Sequence, residues 1–220
     1  ADTTAILDEI SRGFRLIYSN PDSARIIVSE AKEKAIEIDF HYGHMKAINV
    51  LGIAEDITGN YDAALKLYRE ARLLADKYNR MKFKAQVGNN MGLVFWNRQQ
   101  WDSALTYYQK SEKIFRAMDI KRSLPNVLNN LGLINEDMEN HDIAQDYFRE
   151  ALEKYTIIKD TFGLGAVSLN MSLTFMSKDE LDSALAYSLQ AIPYAAAVND
   201  LNGLSKIYNN IGMTYGRIGL

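Results

Sequence analysis

Apolar residues recur along the chain at helical spacing, in stretches of about fifteen residues that short polar segments interrupt. Between Val127 and Met138 the apolar residues fall on one face of a helix. After the interruption Glu139-Asn140, the same kind of pattern continues from Ile143 to Ile157. Two amphipathic stretches joined by a short polar segment predict a helical hairpin.

The hairpin pattern repeats every forty residues without slippage. Its clearest marker is Asn129-Asn130-Leu131-Gly132-Leu133, and close relatives of that segment begin at Asn89 and Asn209. Three columns of residues keep the same period: Asp22, Asp62, Asp102, Asp142 and Asp182; Ala24, Ala64, Ala104, Ala144 and Ala184; Gly52, Gly92, Gly132, Ser172 and Gly212. Such a period predicts a stack of similar hairpins.

The repeat predicts an all-α solenoid of about eleven helices. We expect five hairpins at about residues 4–43, 44–83, 84–123, 124–163 and 164–203, and a lone first helix at 204–220. Because that helix lacks the second half of its hairpin, we expect the natural protein to continue past Leu220. We also expect Pro193 to kink or end the second helix that contains it, since proline removes a backbone hydrogen bond.

Small and polar residues mark the contacts and ends of the predicted helices. The Gly52 and Ala64 columns would let the two helices of a hairpin approach closely, and larger residues such as Leu67 and Tyr107 would fill the space beside them. Asn20, Asn60 and Asn140 precede second helices, where a side-chain oxygen can accept from the first turn. These columns indicate packing and capping.

The glycine, alanine and aromatic columns resemble those of the tetratricopeptide repeat. The resemblance covers essentially the whole chain, although the unit has forty residues where the usual repeat has 34, and we assign the additional six to longer helices or to the connections. This long form is similar to the repeats of kinesin light chains and of bacterial regulators, including arrays that precede kinase or DNA-binding modules. The resemblance implies a right-handed superhelix with the first helices lining its concave face.

The first helices carry a polar stripe that a helical wheel separates from the packing stripe. The stripe consists of Asn90, Asn130, Asn170 and Asn210, with Asn97 on the same face and an apolar row beside it, Leu93, Leu133, Leu173 and Met213. In the second unit Val50 and Ile53 occupy these positions. An asparagine side chain has two donors and an acceptor, which suit the backbone of an extended peptide.

Two interpretations of the asparagines remain open. Concave asparagines hold peptide backbone in many tetratricopeptide proteins, which implies a peptide-binding groove here. The alternative is that they bond neighbouring helices and only tune packing, and the preceding column, Asn49, Asn89, Asn129 and Asn209, lies nearer the packed edge. Lys46, Lys206 and Arg217 are further groove candidates, which a partner's carboxylate would meet.

Composition excludes several classes of function. The chain has 220 residues, and its net charge of -3 gives no electrostatic reason to expect a nucleic-acid partner. It has no cysteine, which excludes thiolate zinc sites and a cysteine nucleophile. No apolar run is long enough to span a bilayer, which predicts a soluble protein, cytoplasmic or periplasmic. His41 and His44 lack the carboxylates that would complete a metal site, and we expect no cofactor.

The sequence therefore predicts a non-enzymatic protein-binding module that holds a peptide or helical segment of a partner in its groove. A second interpretation is the sensory or regulatory part of a larger bacterial signalling protein. Self-association through the terminal helix is a further alternative.

Overall fold

The computed structural model describes residues 2–219, and this part of the chain forms eleven helices and no strand. The all-α prediction is therefore confirmed. The helices are α1 (Thr3–Leu16), α2 (Pro21–Glu37), α3 (His41–Ile57), α4 (Tyr61–Lys77), α5 (Met81–Asn97), α6 (Trp101–Ala117), α7 (Leu124–Asp137), α8 (His141–Ile158), α9 (Thr161–Ser177), α10 (Leu181–Ala197) and α11 (Leu201–Ile218). Odd-numbered helices are the first helices of hairpins and even-numbered helices are the second.

Helix length accounts for the forty-residue unit. Helices α3 and α4 have 17 residues each, and the connection after each of them has three. The residues beyond the usual repeat therefore lie in the helices. Because the connections are so short, hairpins begin three residues before the predicted positions 44, 84, 164 and 204. Helix α7 starts later in its unit, at Leu124, since Pro125 occupies its first turn.

Every helix-to-helix connection after α2 uses the same left-handed turn. Positive φ angles recur every twenty residues, at Asp39, Gly59, Asn79, Gln99, Asp119, Glu139, Lys159, Asp179 and Asn199. At the end of α7 the N–H of Asn140 donates to the carbonyl of Asn135 at 2.8 Å, and that of Glu139 to Glu136 at 2.9 Å. These two bonds are the Schellman motif, which satisfies the last carbonyls of a helix.

Side-chain capping is less regular than the sequence suggested. Asn20 accepts from the N–H of Ser23 at 3.0 Å, as predicted, whereas neither Asn60 nor Asn140 makes a side-chain cap bond. The prediction for those two was wrong: Asn60 instead donates to Glu55 across the turn at 2.8 Å. The first helices α9 and α11 are capped by aspartates whose carboxylates accept from the third residue on, Asp160 and Asp200.

Glycine and an aromatic ring fix the contact inside each central hairpin. A Cβ added to Gly52 would lie 2.5 Å from the ring of Tyr68, and one added to Gly92 would lie 2.6 Å from that of Tyr108. Gly132 meets Phe148 in the same way. The fourth repeat in this series has serine at both positions, and Ser172 and Ser188 join their hydroxyls at 2.6 Å. In this hairpin a hydrogen bond between the two serines takes the place of the contact between an aromatic ring and a glycine.

Helix α10 runs through Pro193 to Ala197, so of the two effects predicted for Pro193, a kink or an end, the second is wrong. Proline removes the bond to the carbonyl four residues earlier, that of Leu189. Pro193 and Leu189 are both exposed, so water can reach the carbonyl that lacks its helical partner.

The chain divides into two compact units, one ending at Ile114 and the other beginning at Phe115. In the first unit, one buried cluster runs through α1, α2 and α3, and a second centres on Met45, Tyr68 and Met91. In the second unit, the main cluster centres on Leu128, Phe148 and Met171, and a smaller one joins Ala191, Ala195 and Ile207. Each unit thus has a core of its own, made where successive helices pack.

Candidate peptide-binding surface on the first helices

The predicted groove residues lie on α3 and α5 in the first unit and on α7, α9 and α11 in the second. Three of the four asparagines are half-buried, namely Asn90, Asn130 and Asn170. Asn210 on α11 is 5% exposed. Their surroundings therefore differ between helices.

Asparagines of neighbouring first helices are paired. The Nδ2 of Asn90 donates to Oδ1 of Asn49 at 3.0 Å, and the Nδ2 of Asn170 donates to Oδ1 of Asn129 at 2.8 Å. Both pairs join residues 41 apart in the sequence. The two adjacent asparagine columns therefore act together and bond one first helix to the next. The donor amides of Asn90 and Asn170 keep their own oxygen and a second N–H for another partner, whereas the acceptor amides of Asn49 and Asn129 keep their N–H groups.

Leu169 interrupts this pairing in the last repeat. It stands 41 residues before Asn210, where the other pairs have an asparagine. The Nδ2 of Asn210 is buried and has no hydrogen-bond partner. The interruption was visible in the sequence, but its consequence for Asn210 required knowing that the two columns pair. A buried amide without an acceptor is costly, and α11 therefore has a donor that is not satisfied.

The apolar row changes from core to surface along the chain. Val50 is 4% exposed and belongs to the first core cluster, so its assignment to the groove stripe was wrong. Leu93 and Leu133 are half-buried, and Leu133 packs against the main cluster of the second unit. In contrast, Leu173 is 37% and Met213 is 43% exposed. The row therefore offers most apolar surface on α9 and α11.

A cavity of about 360 Å³ opens between α9, the end of α10 and the start of α11. Two predicted groove residues, Asn170 and Lys206, line it together. Its other walls combine apolar and polar side chains, among them Phe162, Leu169, Val198, Asp200, Asn202 and Ile207. The cavity is large enough for one apolar side chain, with an amide and an ammonium group beside it. We call this cavity with exposed Leu173 and Met213 the α9–α11 surface.

Sequence reasoning missed the apolar wall of this cavity. Phe162 is 61% exposed and lies at the start of α9, outside the predicted stripe. Val198 follows α10, in the connection to α11. Neither residue belongs to a repeat column that the sequence analysis singled out, so no sequence signal marked this wall.

Two of the remaining candidates are engaged within the fold. The guanidinium of Arg217 donates to the carbonyl of Met176 and to the carboxylate of Asp179, each at 2.7 Å. It thus holds the C-terminal end of α9. Asn97 donates to Asp56 at 3.3 Å. Of the basic candidates, Lys46 is half-buried on α3, and Lys206 is exposed at the cavity.

Asp56 is a buried carboxylate, 7% exposed, on α3. Burial raises its pKa, and the hydrogen bond from Asn97 opposes that shift. The tyrosine hydroxyls of Tyr68 and Tyr108 are buried without a hydrogen-bond partner, and burial raises their pKa as well. These groups belong to the packed side of the helices, and Asn97 connects that side to the predicted stripe.

The two histidines considered for metal binding have other surroundings. The ring of His41 stacks on that of Tyr78 with centroids 3.9 Å apart, and burial lowers the pKa of His44. Among residues 2–219, no three histidine, aspartate or glutamate side chains are grouped so as to hold a metal ion. No helix in the same range is both long and apolar enough to cross a membrane.

Comparison with known proteins identifies the repeat. Residues 84–157 match the family model described as a tetratricopeptide repeat. No curated protein matches the chain in sequence. The sequence match thus covers α6 to α8 and most of α5. The rest of the chain is similar to solved structures in its fold.

Three solved structures illustrate that similarity. BtubC (BKLC) from P. vanneervenii aligns with a TM-score of 0.73 and 19% identity, over 98% of this chain and 82% of that one. The second is a signal transduction ATPase with numerous domains from Pyrococcus horikoshii, which has a tetratricopeptide repeat sensor. It aligns with a TM-score of 0.76 and 15% identity, over 97% of this chain and 33% of the ATPase. The third is a Rap protein complexed with competence and sporulation factor. It aligns with a TM-score of 0.68 and 12% identity, over 96% of this chain and 66% of the Rap protein.

These identities establish a shared fold, and the chain spans only one third of the ATPase. The aligned helices extend over almost all of the chain, beyond the range that the sequence match covers. The resemblance that the glycine, alanine and aromatic columns suggested is confirmed. Residues 84–157 therefore match the tetratricopeptide repeat in sequence, and the described helices have the fold of tetratricopeptide-repeat proteins.

Proposed function

We propose that the chain is a protein-binding module that holds an extended segment of a partner along its first helices, chiefly at the α9–α11 surface. Asn170 and its paired neighbour hold their amides in fixed orientations, and each amide retains hydrogen-bonding capacity. A peptide backbone supplies the matching donors and acceptors whatever its side chains are. The observation that carries this proposal is the cavity, because there Asn170, Lys206 and apolar walls converge.

The apolar residues determine which partners fit. Leu173 and Met213 would cover apolar side chains of the bound segment, and the cavity would take one of them completely. Lys206 favours a segment that carries a negative charge near that side chain. The segment is therefore extended, apolar at alternate positions and neutral to acidic.

A matched pair of substitutions tests this function. Leu173 on α9 is 37% exposed and lies in the proposed surface, whereas Leu189 on α10 is 49% exposed and lies outside it. Peptides selected from a displayed library on the wild-type chain are measured by calorimetry against Leu173→Ala and Leu189→Ala. We expect Leu173→Ala to weaken binding at least tenfold, about 1.4 kcal/mol, and Leu189→Ala to change it less than twofold. Equal effects of the two changes, or no selected peptide, contradict the proposal.

A second candidate function is supported by the ATPase from Pyrococcus horikoshii, which has a tetratricopeptide repeat sensor. In that case the chain is the sensory part of a signalling protein, and binding along the first helices is its input. A kinase, ATPase or DNA-binding module encoded in the same polypeptide would support this candidate. A complete natural polypeptide without such a module contradicts it.

A further inference from the structure

A second cavity, of about 510 Å³, lies beside the α9–α11 surface, where the end of α8 and the start of α9 meet the segment before α7. Phe162 and Val198 line this cavity as well as the first one, so the two cavities are neighbours on either side of one apolar wall. Arg122 and Lys159 also line the second cavity. We call it the basic cavity.

Two cations dominate the polar part of the basic cavity. Arg122 and Lys159 are exposed, and neither forms an ion pair within the described part of the chain. Among the described residues that line the cavity, only Asp160 carries a carboxylate, and its Oδ1 accepts from the first turn of α9. Asn126 is a neutral part of the wall, and its amide oxygen accepts from the hydroxyl of Tyr155 at 2.6 Å. The cavity therefore has more positive than negative charge.

Both cations depart from the pattern of the repeat. The other left-handed turns between hairpins have short polar residues at the position of Lys159, namely Asp39, Asn79, Asp119 and Asn199. Such residues tolerate a positive φ angle better than lysine does, so the turn itself does not require a lysine. Arg122 lies in a connection because α7 begins only at Leu124, whereas its equivalents on α3, α5, α9 and α11 lie within the helix.

The charges of the basic cavity suit a carboxylate group. Its two cations and one carboxylate leave a net charge of +1, which one carboxylate of a ligand balances. A phosphate group carries nearly two negative charges and would leave an excess of negative charge beside Asp160. The guanidinium of Arg122 can also donate two parallel N–H groups to the two oxygens of a carboxylate.

The apolar wall relates the basic cavity to the proposed peptide. That peptide places one apolar side chain in the first cavity, and the wall of Phe162 and Val198 separates this side chain from the basic cavity. In an extended segment, alternate side chains point the same way and lie about 7 Å apart. The side chain two residues from the apolar one can therefore pass the wall and enter the basic cavity. Leu173 lies farther along α9, on the opposite side of the first cavity.

We infer that the basic cavity binds an aspartate or glutamate side chain of the partner segment, two residues from the apolar side chain in the first cavity. Arg122 and Lys159 contact its carboxylate. The inference rests on the proposed function and specifies its ligand: an acidic residue, one intervening residue and an apolar residue, in an extended segment that continues towards Leu173.

Calorimetry with three chains tests this assignment. Peptides selected from a displayed library on the wild-type chain are synthesised with an amidated C-terminus, so that any carboxylate belongs to a side chain. Their affinity is measured for the wild type, Arg122→Gln and Lys121→Gln. Lys121 is the matched control, because it precedes Arg122 in the same connection, pairs with Asp119 at 3.8 Å and does not line the cavity. We expect about fivefold weaker binding to Arg122→Gln and less than a twofold change for Lys121→Gln.

Changes in the peptide identify the group that enters the cavity. Replacing its acidic residue by the corresponding amide should weaken binding to the wild type about fivefold and should add nothing in Arg122→Gln, because the same contact is lost in both. Phosphoserine at that position should bind no more tightly than glutamate.

The outcomes separate this inference from the proposed function. Peptides that are weakened by Leu173→Ala but bind the wild type and Arg122→Gln equally overturn the inference and leave the proposed function standing. Loss of binding on amidation would assign the carboxylate to a chain end, and tenfold tighter binding of the phosphoserine peptide would assign the cavity to phosphate. Either result overturns the inference. If no peptide is selected, the proposed function fails and the inference fails with it.

Discussion

Single residues in the connections carry backbone conformations that their side chains do not favour. Eight non-glycine residues have positive φ angles in the described chain, and the structure needs them there because each ends a helix in the same turn. Glu139 is one of these residues, with φ 61°, and it is exposed to solvent. The chain therefore retains removable strain at regular intervals.

Glu139→Gly should stabilise the chain by about 1 kcal/mol, because a left-handed conformation costs an L residue roughly that much and costs glycine almost nothing. Denaturant unfolding measures the change. Glu153→Gly, inside α8, is the matched control and should destabilise by about 1 kcal/mol. A loss of stability for Glu139→Gly would show that its side chain matters more than its backbone.

Asp56→Asn should raise the free energy of unfolding at pH 7 and have little effect near pH 3. Burial raises the pKa of Asp56 in the folded chain, so folding favours the protonated form. Its contribution is most favourable below the unfolded pKa and is lost as the pH rises through the folded pKa. Asparagine keeps an oxygen for Asn97 and cannot ionise.

The contrasting control is Asp142→Asn. A hydrogen bond from Lys178 lowers the pKa of Asp142, so its contribution is present above the unfolded pKa and is lost as the pH falls. Asp142→Asn should therefore not raise stability at pH 7. Urea unfolding at the two pH values checks both changes, and a stability gain for Asp56→Asn that is equal at both pH values would contradict the argument.

At the scale of the helix, one substitution should have opposite effects at equivalent positions. Gly132→Ala places a methyl group against the ring of Phe148 and should cost about 1 to 3 kcal/mol. Gly212→Ala meets no atom within 4 Å and should stabilise α11 by up to about 1 kcal/mol through helix propensity. Thermal unfolding of the two variants gives the comparison. A similar loss for both would mean that the Gly212 position is covered.

A structural feature could be predicted when its residues recur in every repeat, and could not when they come together only in the folded chain. The hairpins were predictable because Gly132, Phe148 and their equivalents must recur for identical contacts to recur. The hydrogen bond between Asn129 and Asn170 was not predictable, because it joins neighbouring repeats. Each asparagine column by itself suits either packing or binding. The cavity was not predictable either, because Phe162 and Val198 meet only after three helices have packed.

At the scale of the whole molecule, repetition gives the first helices similar stripes, and departures from the repeat distinguish the proposed binding surface on α9 and α11. Leu169 leaves the amide of Asn210 unsatisfied, and the apolar row becomes exposed at Leu173 and Met213. The proposed binding therefore requires that asparagines which already bond one another still contact a peptide.

Calorimetry of a selected peptide with Asn170→Ala tests that claim most directly. Asn126→Ala is the matched control, since Asn126 lies in the same unit and accepts from the hydroxyl of Tyr155 at 2.6 Å. We predict that Asn170→Ala weakens the peptide by roughly 1 to 3 kcal/mol with the fold retained, and that Asn126→Ala leaves its affinity unchanged. Full affinity in the Asn170→Ala chain would contradict the account.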